Sequence, residues 1–170
     1  YCMGYVAGNG EASTLINVTA TNVTATAKGN SITSTDVVAK IGDVTYTSLQ
    51  SALDAAALGT GNVTVEILKD IDLSGVDWNP VTVSAPGYPM VTVNGNDKTI
   101  TGLNDMLFAG TWAGGSGLII NDLTIKDSNI VNDENDAKGT VGVGAFIGFP
   151  QASATITLNN CHLVNSTVKG

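Results

Sequence analysis

The chain has 170 residues, a length that suits one domain and is enough to bury a real core. Seven Lys and no Arg stand against 15 acidic residues, and the net charge of -8 opposes nucleic acid and anionic membranes while permitting divalent cations. Apolar residues make up 43 %, too many for a disordered tail, and charged residues only 13 %, so Thr, Ser, Asn and Gly must coat the surface, as on extracellular β-proteins.

Cys2 and Cys161 are too few for a disulfide scaffold or a structural zinc site and read as small buried residues; whether they pair stays open. No apolar run reaches the ~18 residues of a membrane span, and no signal peptide is visible. The opening Tyr1-Cys2-Met3-Gly4 reads as the edge of a fragment.

In chain order, the first signal is an internal repeat. Gly4-Tyr-Val-Ala-Gly8 matches Gly144-Ala-Phe-Ile-Gly148, Ala12-Ser13 matches Ala152-Ser153, and Ile16, Val18 and Val23 match Ile156, Leu158 and Leu163, all at an offset of 140. After a one-residue gap both copies end in Lys-Gly, at Lys28-Gly29 and Lys169-Gly170. Residues 1–29 therefore read as the tail of one unit, the polar stretch 30–36 as a linker, and residues 37–170 as the next unit.

Within that unit, Val37 to Ile41 and Val44 to Tyr46 flank Gly42-Asp43, a turn between short strands. Thr47-Ser-Leu-Gln50 fits a capping box and Gly59 a helix stop, which places a helix near 48–58. Leu49, Ala52, Leu53 and Ala56 give it one apolar face. Short β-branched strands follow at Val63–Leu68, Val81–Val83, Val91–Val93, Leu118–Ile120, Leu123–Ile125 and Ala154–Leu158. Asn94-Gly-Asn-Asp97, Gly114-Gly-Ser-Gly117 and Asn159-Asn160 read as turns. Many of these strands are too short for a sandwich. The expected fold is all-β, a right-handed parallel β-helix whose open end the helix caps.

A resemblance supports this. Val38-Ala-Lys-Ile-Gly-Asp-Val-Thr-Tyr-Thr-Ser-Leu-Gln-Ser-Ala-Leu-Asp-Ala-Ala56, followed by Val63-Thr-Val-Glu-Ile-Leu-Lys-Asp70, resembles the leading segment of gut-bacterial surface proteins. Those proteins continue into pectate-lyase-like right-handed β-helices. Gly115 to Asp127 and Gly142-Val-Gly-Ala-Phe-Ile-Gly148 look like the Gly-rich motif repeats of the same adhesin-like group. The resemblance implies a secreted, cell-surface location and a structural or adhesive role.

The catalytic chemistry of that fold has no carrier in this chain. Pectate lyases join a calcium cluster to an Arg base, and this chain has no Arg. Polygalacturonase-like enzymes need a His and an Arg-Lys pair, and the single His162 aligns with Asn22 in the repeat. Asp70-Ile-Asp72 would put two carboxylates on one side of a strand, a pair that could hydrolyse glycosides or simply be solvated. Asp133, Glu134 and Asp136 could hold Ca²⁺ through oxygen ligands, without the spacing of a calcium loop. Trp78 and Trp112 could stack on sugars from turn-like stretches, or pack a loop onto the core. Thr-x-Thr pairs such as Thr99/Thr101 and Thr155/Thr157 would suit ice binding only if they lay in register.

The expected function is a non-catalytic repeat module needing no cofactor. It would stack end to end on neighbouring repeats or identical subunits, possess no membrane span, and offer a surface to a host glycan or protein. A polysaccharide-binding or polysaccharide-cleaving module is the alternative, and an ice-binding solenoid the minor one.

Overall fold

The computed structural model describes residues 25–27, 30–32, 37–83, 89–111, 116–131, 142–151 and 153–170. Among these the chain is mostly β, with fifteen strands and one helix. Strands β1 (Ala25–Ala27) and β2 (Asn30–Ile32) pair antiparallel, which puts a strand inside the stretch read as a linker. Residues 1–24, which carry Cys2 and most of the first repeat copy, lie outside the described residues.

The second unit opens on a hairpin. Strands β3 (Ala39–Ile41) and β4 (Val44–Tyr46) turn about Gly42, whose φ of 56° is one that glycine adopts without steric cost. Helix α1 (Leu49–Ala57) follows. Its N-cap is Ser48, whose side chain accepts from the Ser51 N–H, and not Thr47 as the capping box suggested. Gln50 does not reach back to the cap, because its amide is held by Asn79: it donates to the Asn79 carbonyl at 2.9 Å and accepts from the Asn79 N–H at 3.2 Å. The expected apolar face is buried, together with Ala57.

Four successive stretches of chain then lie side by side, and each is called a rung here. The first holds β5 (Asn62–Ile67), β6 (Ile71–Asp72) and β7 (Val81–Val83). The second holds β8 (Met90–Thr101) and β9 (Phe108–Thr111). The third holds β10 (Gly117–Lys126), β11 (Asn129–Val131) and β12 (Ile147–Pro150). The last holds β13 (Thr155–Asn159), β14 (His162–Val164) and β15 (Thr167–Lys169). Every pairing between rungs is parallel: β5–β8–β10–β13, β6–β8–β10–β14, β7–β9–β12 and β11–β15. The runs expected as separate strands at Val91–Val93, Leu118–Ile120 and Leu123–Ile125 are parts of the long strands β8 and β10. Asn94-Gly-Asn-Asp97 bends β8 without reversing it.

Parallel register stacks like on like. Val65, Val93, Ile120 and Leu158 form one inward column, and Ile71, Ile100, Ile125 and Leu163 another. Each apolar side chain is shielded by the neighbouring strands on either side, so Val65, Val93 and Ile120 are fully buried, whereas Leu158, with no described rung beyond it, is 45 % exposed. At the other end α1 and β3 cover the first rung, and Leu49, Leu53 and Ala39 join the same core as Val65 and Ile67.

The bends between sides need left-handed backbone at repeated stations. After the first side it is taken by Asn96 and Asp97, then Asp122, then Asn160; after the second side by Gly102, then Asp127, then Asn165. Outside glycine, only Asn and Asp tolerate this region readily, so the bend residues follow from sterics. Gly102 is also crowded: a Cβ there would lie 2.3 Å from Ser74 Oγ and 2.8 Å from Ser74 Cα. Gly102→Ala should therefore destabilise the fold by about 2 kcal/mol or more, combining left-handed strain with the clash. A urea unfolding curve checks this, and a change below about 0.5 kcal/mol would refute the account.

Candidate functional site

The first bend carries a polar ladder. Column partners Glu66, Asn94, Asn121 and Asn159 are set side by side by the parallel register. Asn94 Nδ2 donates to Glu66 Oε1 at 2.7 Å, Asn121 Nδ2 to Asn94 Oδ1 at 3.0 Å, and Asn159 Nδ2 to Asn121 Oδ1 at 2.8 Å. An ionised carboxylate can only accept, so Glu66 fixes the direction of every amide above it. The ladder ends on Asn159 Oδ1, an acceptor facing outward at the last rung with no donor among the described residues. A second ladder stands beside it, where Asn160 Nδ2 donates to Asp122 Oδ1 at 2.8 Å.

The second bend uses hydroxyls. Ser128 Oγ accepts from the Leu103 N–H at 3.0 Å and donates to the Lys126 carbonyl at 2.9 Å. One rung on, Ser166 Oγ accepts from the Ser128 N–H at 3.1 Å and donates to the Val164 carbonyl at 2.8 Å. Beside them Asn165 donates to Asp127 and Thr167 to Asn129. These polar groups line a shallow depression, but they are spent on one another and couple rung to rung.

The open face of the last rung is apolar and almost free of charge. Leu158, Leu163 and Val168 are 38–45 % exposed there, with Ile156 and Cys161 half-buried beside them. Residues 142–170 contain no carboxylate, and Lys169 and His162 are their only ionisable side chains besides the Cys161 thiol. Strand β13 has no charge and no Pro, the devices that usually protect a sheet edge. Burial pushes the Cys161 thiol above its ordinary pKa, and the Asp122 carboxylate adds to the shift. It is thus a protonated, weakly nucleophilic packing residue at neutral pH.

The sequence-derived candidates fall elsewhere. Trp78 is 3 % exposed, and its indole N–H points at the carbonyls of Met106 at 3.0 Å and Leu107 at 3.3 Å. The ring is a core element that ties the first rung to the second, with no face open for a sugar. Asp70 Oδ1 accepts from the Thr99 N–H and Asp72 Oδ1 from the Ser74 N–H, both at 2.8 Å, so each serves a chain bend. His162 is exposed, with Nε2 3.1 Å from Asn160 Oδ1. Trp112, Asp133, Glu134 and Asp136 lie outside the described residues. Among the described residues no group of three His, Cys, Asp or Glu side chains is placed to hold a metal ion. No described helix is long and apolar enough to cross a membrane. Thr99 and Thr101 lie beside Thr124 and Lys126, and Thr155 and Thr157 beside Gly117 and Ile119, so these Thr-x-Thr pairs do not stack.

The ladders escaped sequence reading, although a signal existed. Each rung repeats apolar-x-apolar followed by a polar bend residue: Val63-Thr-Val-Glu66, Val91-Thr-Val-Asn94, Leu118-Ile-Ile-Asn121 and Ile156-Thr-Leu-Asn159. No protein-family model matches the chain, and neither a curated protein nor a solved structure is significantly similar to it.

Removing the middle of the ladder should be felt on both sides. Asn121→Ala leaves Asn94 Oδ1 and Asn159 Nδ2 to partly available water, and should lower stability by about 1 kcal/mol in urea unfolding. A value indistinguishable from zero would reduce the ladder to decoration. Separately, side-chain and backbone hydrogen bonds from Ser74 hold Asp72 below the usual 3.8. A depressed carboxylate stabilises the fold above its unfolded pKa and loses that contribution as pH falls through the folded one. Ser74→Ala should move the Asp72 titration, followed by NMR, upward toward 3.8.

Proposed function

We propose that the chain is a non-catalytic structural or adhesive module of a secreted bacterial surface protein, built as a right-handed parallel β-helix with α1 as its cap. The observation that carries this reading is the set of parallel ladders in which successive rungs stack strand on strand in register. A strand, a crossover and a parallel strand in the same sheet are right-handed in about 98 % of cases, which gives the hand. The inward columns supply cohesion, while Thr, Asn and Ser face outward, so the body acts as a stiff spacer. The acids support the same reading: Glu66, Asp70, Asp72, Asp122 and Asp127 are each hydrogen-bonded within a bend or ladder, and none converges with another on a cleft.

The module should release no reducing sugar from polygalacturonate or from neutral plant and host polysaccharides. Release that disappears in Asp70→Asn or Asp72→Asn would overturn the reading. Binding without cleavage in a glycan screen would keep the scaffold and assign it an adhesive target.

A further inference from the structure

The fold forces a chemically unstable dipeptide into its polar ladder. Asn94 is needed there because its short amide both donates and accepts, as a middle position requires. Gly95 is needed because the third rung passes close to it. A Cβ at Gly95 would lie 2.3 Å from the Asp122 carbonyl oxygen and 2.7 Å from Leu123 Cβ. The two demands fall on successive residues and produce Asn94-Gly95. In an unfolded chain Asn-Gly loses ammonia more readily than other Asn pairs, because glycine leaves the backbone nitrogen after Asn unhindered.

Both reacting groups are held in the folded chain. Glu66 clamps the residues on either side of Gly95: Oε1 accepts from Asn94 Nδ2 at 2.7 Å and Oε2 from Asn96 Nδ2 at 2.9 Å. Asn94 Oδ1 accepts from Asn121 Nδ2 at 3.0 Å, so both ends of the Asn94 amide are tied. The backbone nitrogen is engaged as well. The Gly117 N–H donates to the Pro89 carbonyl at 3.2 Å, which sets the phase between β8 and β10. The pairing of Asn94 with Asn121 then turns the Gly95 N–H toward the Asn121 carbonyl. Gly95 is buried, and β8 is extended here, whereas ring closure needs the Asn94 side chain folded back onto the peptide that follows it.

We propose that Asn94-Gly95 is a latent self-modification site, closed while the ladder is intact and reactive once the bend opens. In the opened chain the Gly95 nitrogen attacks Asn94 Cγ. The new N–Cγ bond closes a five-membered succinimide, and the bond from Cγ to the side-chain nitrogen breaks. Ammonia leaves, carrying the proton that the Gly95 nitrogen gives up. Solvent water then cleaves one of the two ring bonds to that nitrogen. Cleavage on the Cγ side gives an aspartyl residue; cleavage on the main-chain side gives its isoaspartyl isomer. The sum is one water consumed and one ammonia released, with no change of oxidation state and no enzyme.

The product cannot rebuild the ladder. An aspartyl side chain has no donor for Glu66, and it sets a second carboxylate where Asn94 Nδ2 now stands 2.7 Å from Oε1. The isoaspartyl form lengthens the main chain of β8 by one carbon and displaces the residues that follow from their register. An opening that lasts long enough to react is therefore recorded permanently, and the firmness of the ladder sets how long the module stays intact.

The test incubates the full chain, folded or in guanidinium chloride, in heavy-oxygen water, which labels every succinimide that opens. Peptide mass spectrometry then follows Asn94. Conversion should be at least about 100-fold slower in the folded chain than in the unfolded one. Glu66→Ala releases Asn94 and Asn96 together and should speed conversion in the folded chain at least about tenfold. Glu66→Gln keeps an acceptor oxygen and should stay nearer to the wild type. Circular dichroism melts fix a temperature at which each chain is still folded, and rates are compared there. Asn94→Asp, which needs no ageing, gives an independent reading: its unfolded fraction in a denaturant titration should rise about tenfold. A folded wild-type chain that converts as fast as the unfolded one overturns the proposal. So does an unfolded chain that keeps Asn94, a folded Glu66→Ala no faster than wild type, or an Asn94→Asp chain of unchanged stability.

Discussion

Each rung can hide its apolar side chains only behind the rung next to it. That constraint organises the molecule. It explains why Val93 and Ile120, with neighbours on both sides, are fully buried, while Leu158 in the same column is half in water. It also explains the helix. Leu49, Ala52 and Leu53 do at the first rung what a further rung would otherwise do. Among the described residues the two ends therefore differ, one covered by α1 and β3 and the other presenting Leu158 and Leu163.

Polar groups add direction to this stacking. Apolar columns alone would accept a neighbour in either sense. A carboxylate at the foot of the Glu66–Asn159 ladder removes that freedom, because each amide must donate toward it. The serines of the second bend behave alike, with Ser166 accepting from Ser128 and Ser128 accepting from Leu103. Individually these bonds are worth about 1 kcal/mol. Together they pin the register, since a slip of one residue would turn every inward side chain outward.

What the sequence made legible was what neighbours along the chain decide. The apolar face of α1 follows from helical spacing, and the cores of β4, β5 and β7 follow from alternation. Long-range choices were hidden. Ser48 rather than Thr47 caps the helix while Gln50 is tied to Asn79, 29 positions away. Trp78 looks like a turn aromatic until the carbonyls of Met106 and Leu107 claim its N–H. Asn94-Gly-Asn-Asp97 announces a bend, but local chemistry does not say whether the chain then reverses or continues. The ladder was hidden by uneven spacing: from Val63 to Val91, Leu118 and Ile156 the steps are 28, 27 and 38 residues. A search at one fixed offset passes over it.

That uneven spacing has a consequence of its own. The extra length of the 38-residue step falls between Lys126 and Ile147, the stretch that includes Asp133, Glu134 and Asp136. The side-by-side pairing fixes where β10, β11 and β12 arrive, whatever number of residues the chain spends between them. Sequence can accordingly be inserted, lost or exchanged at that point while the chassis keeps its shape. A change of length in that one connection would then call for no new scaffold.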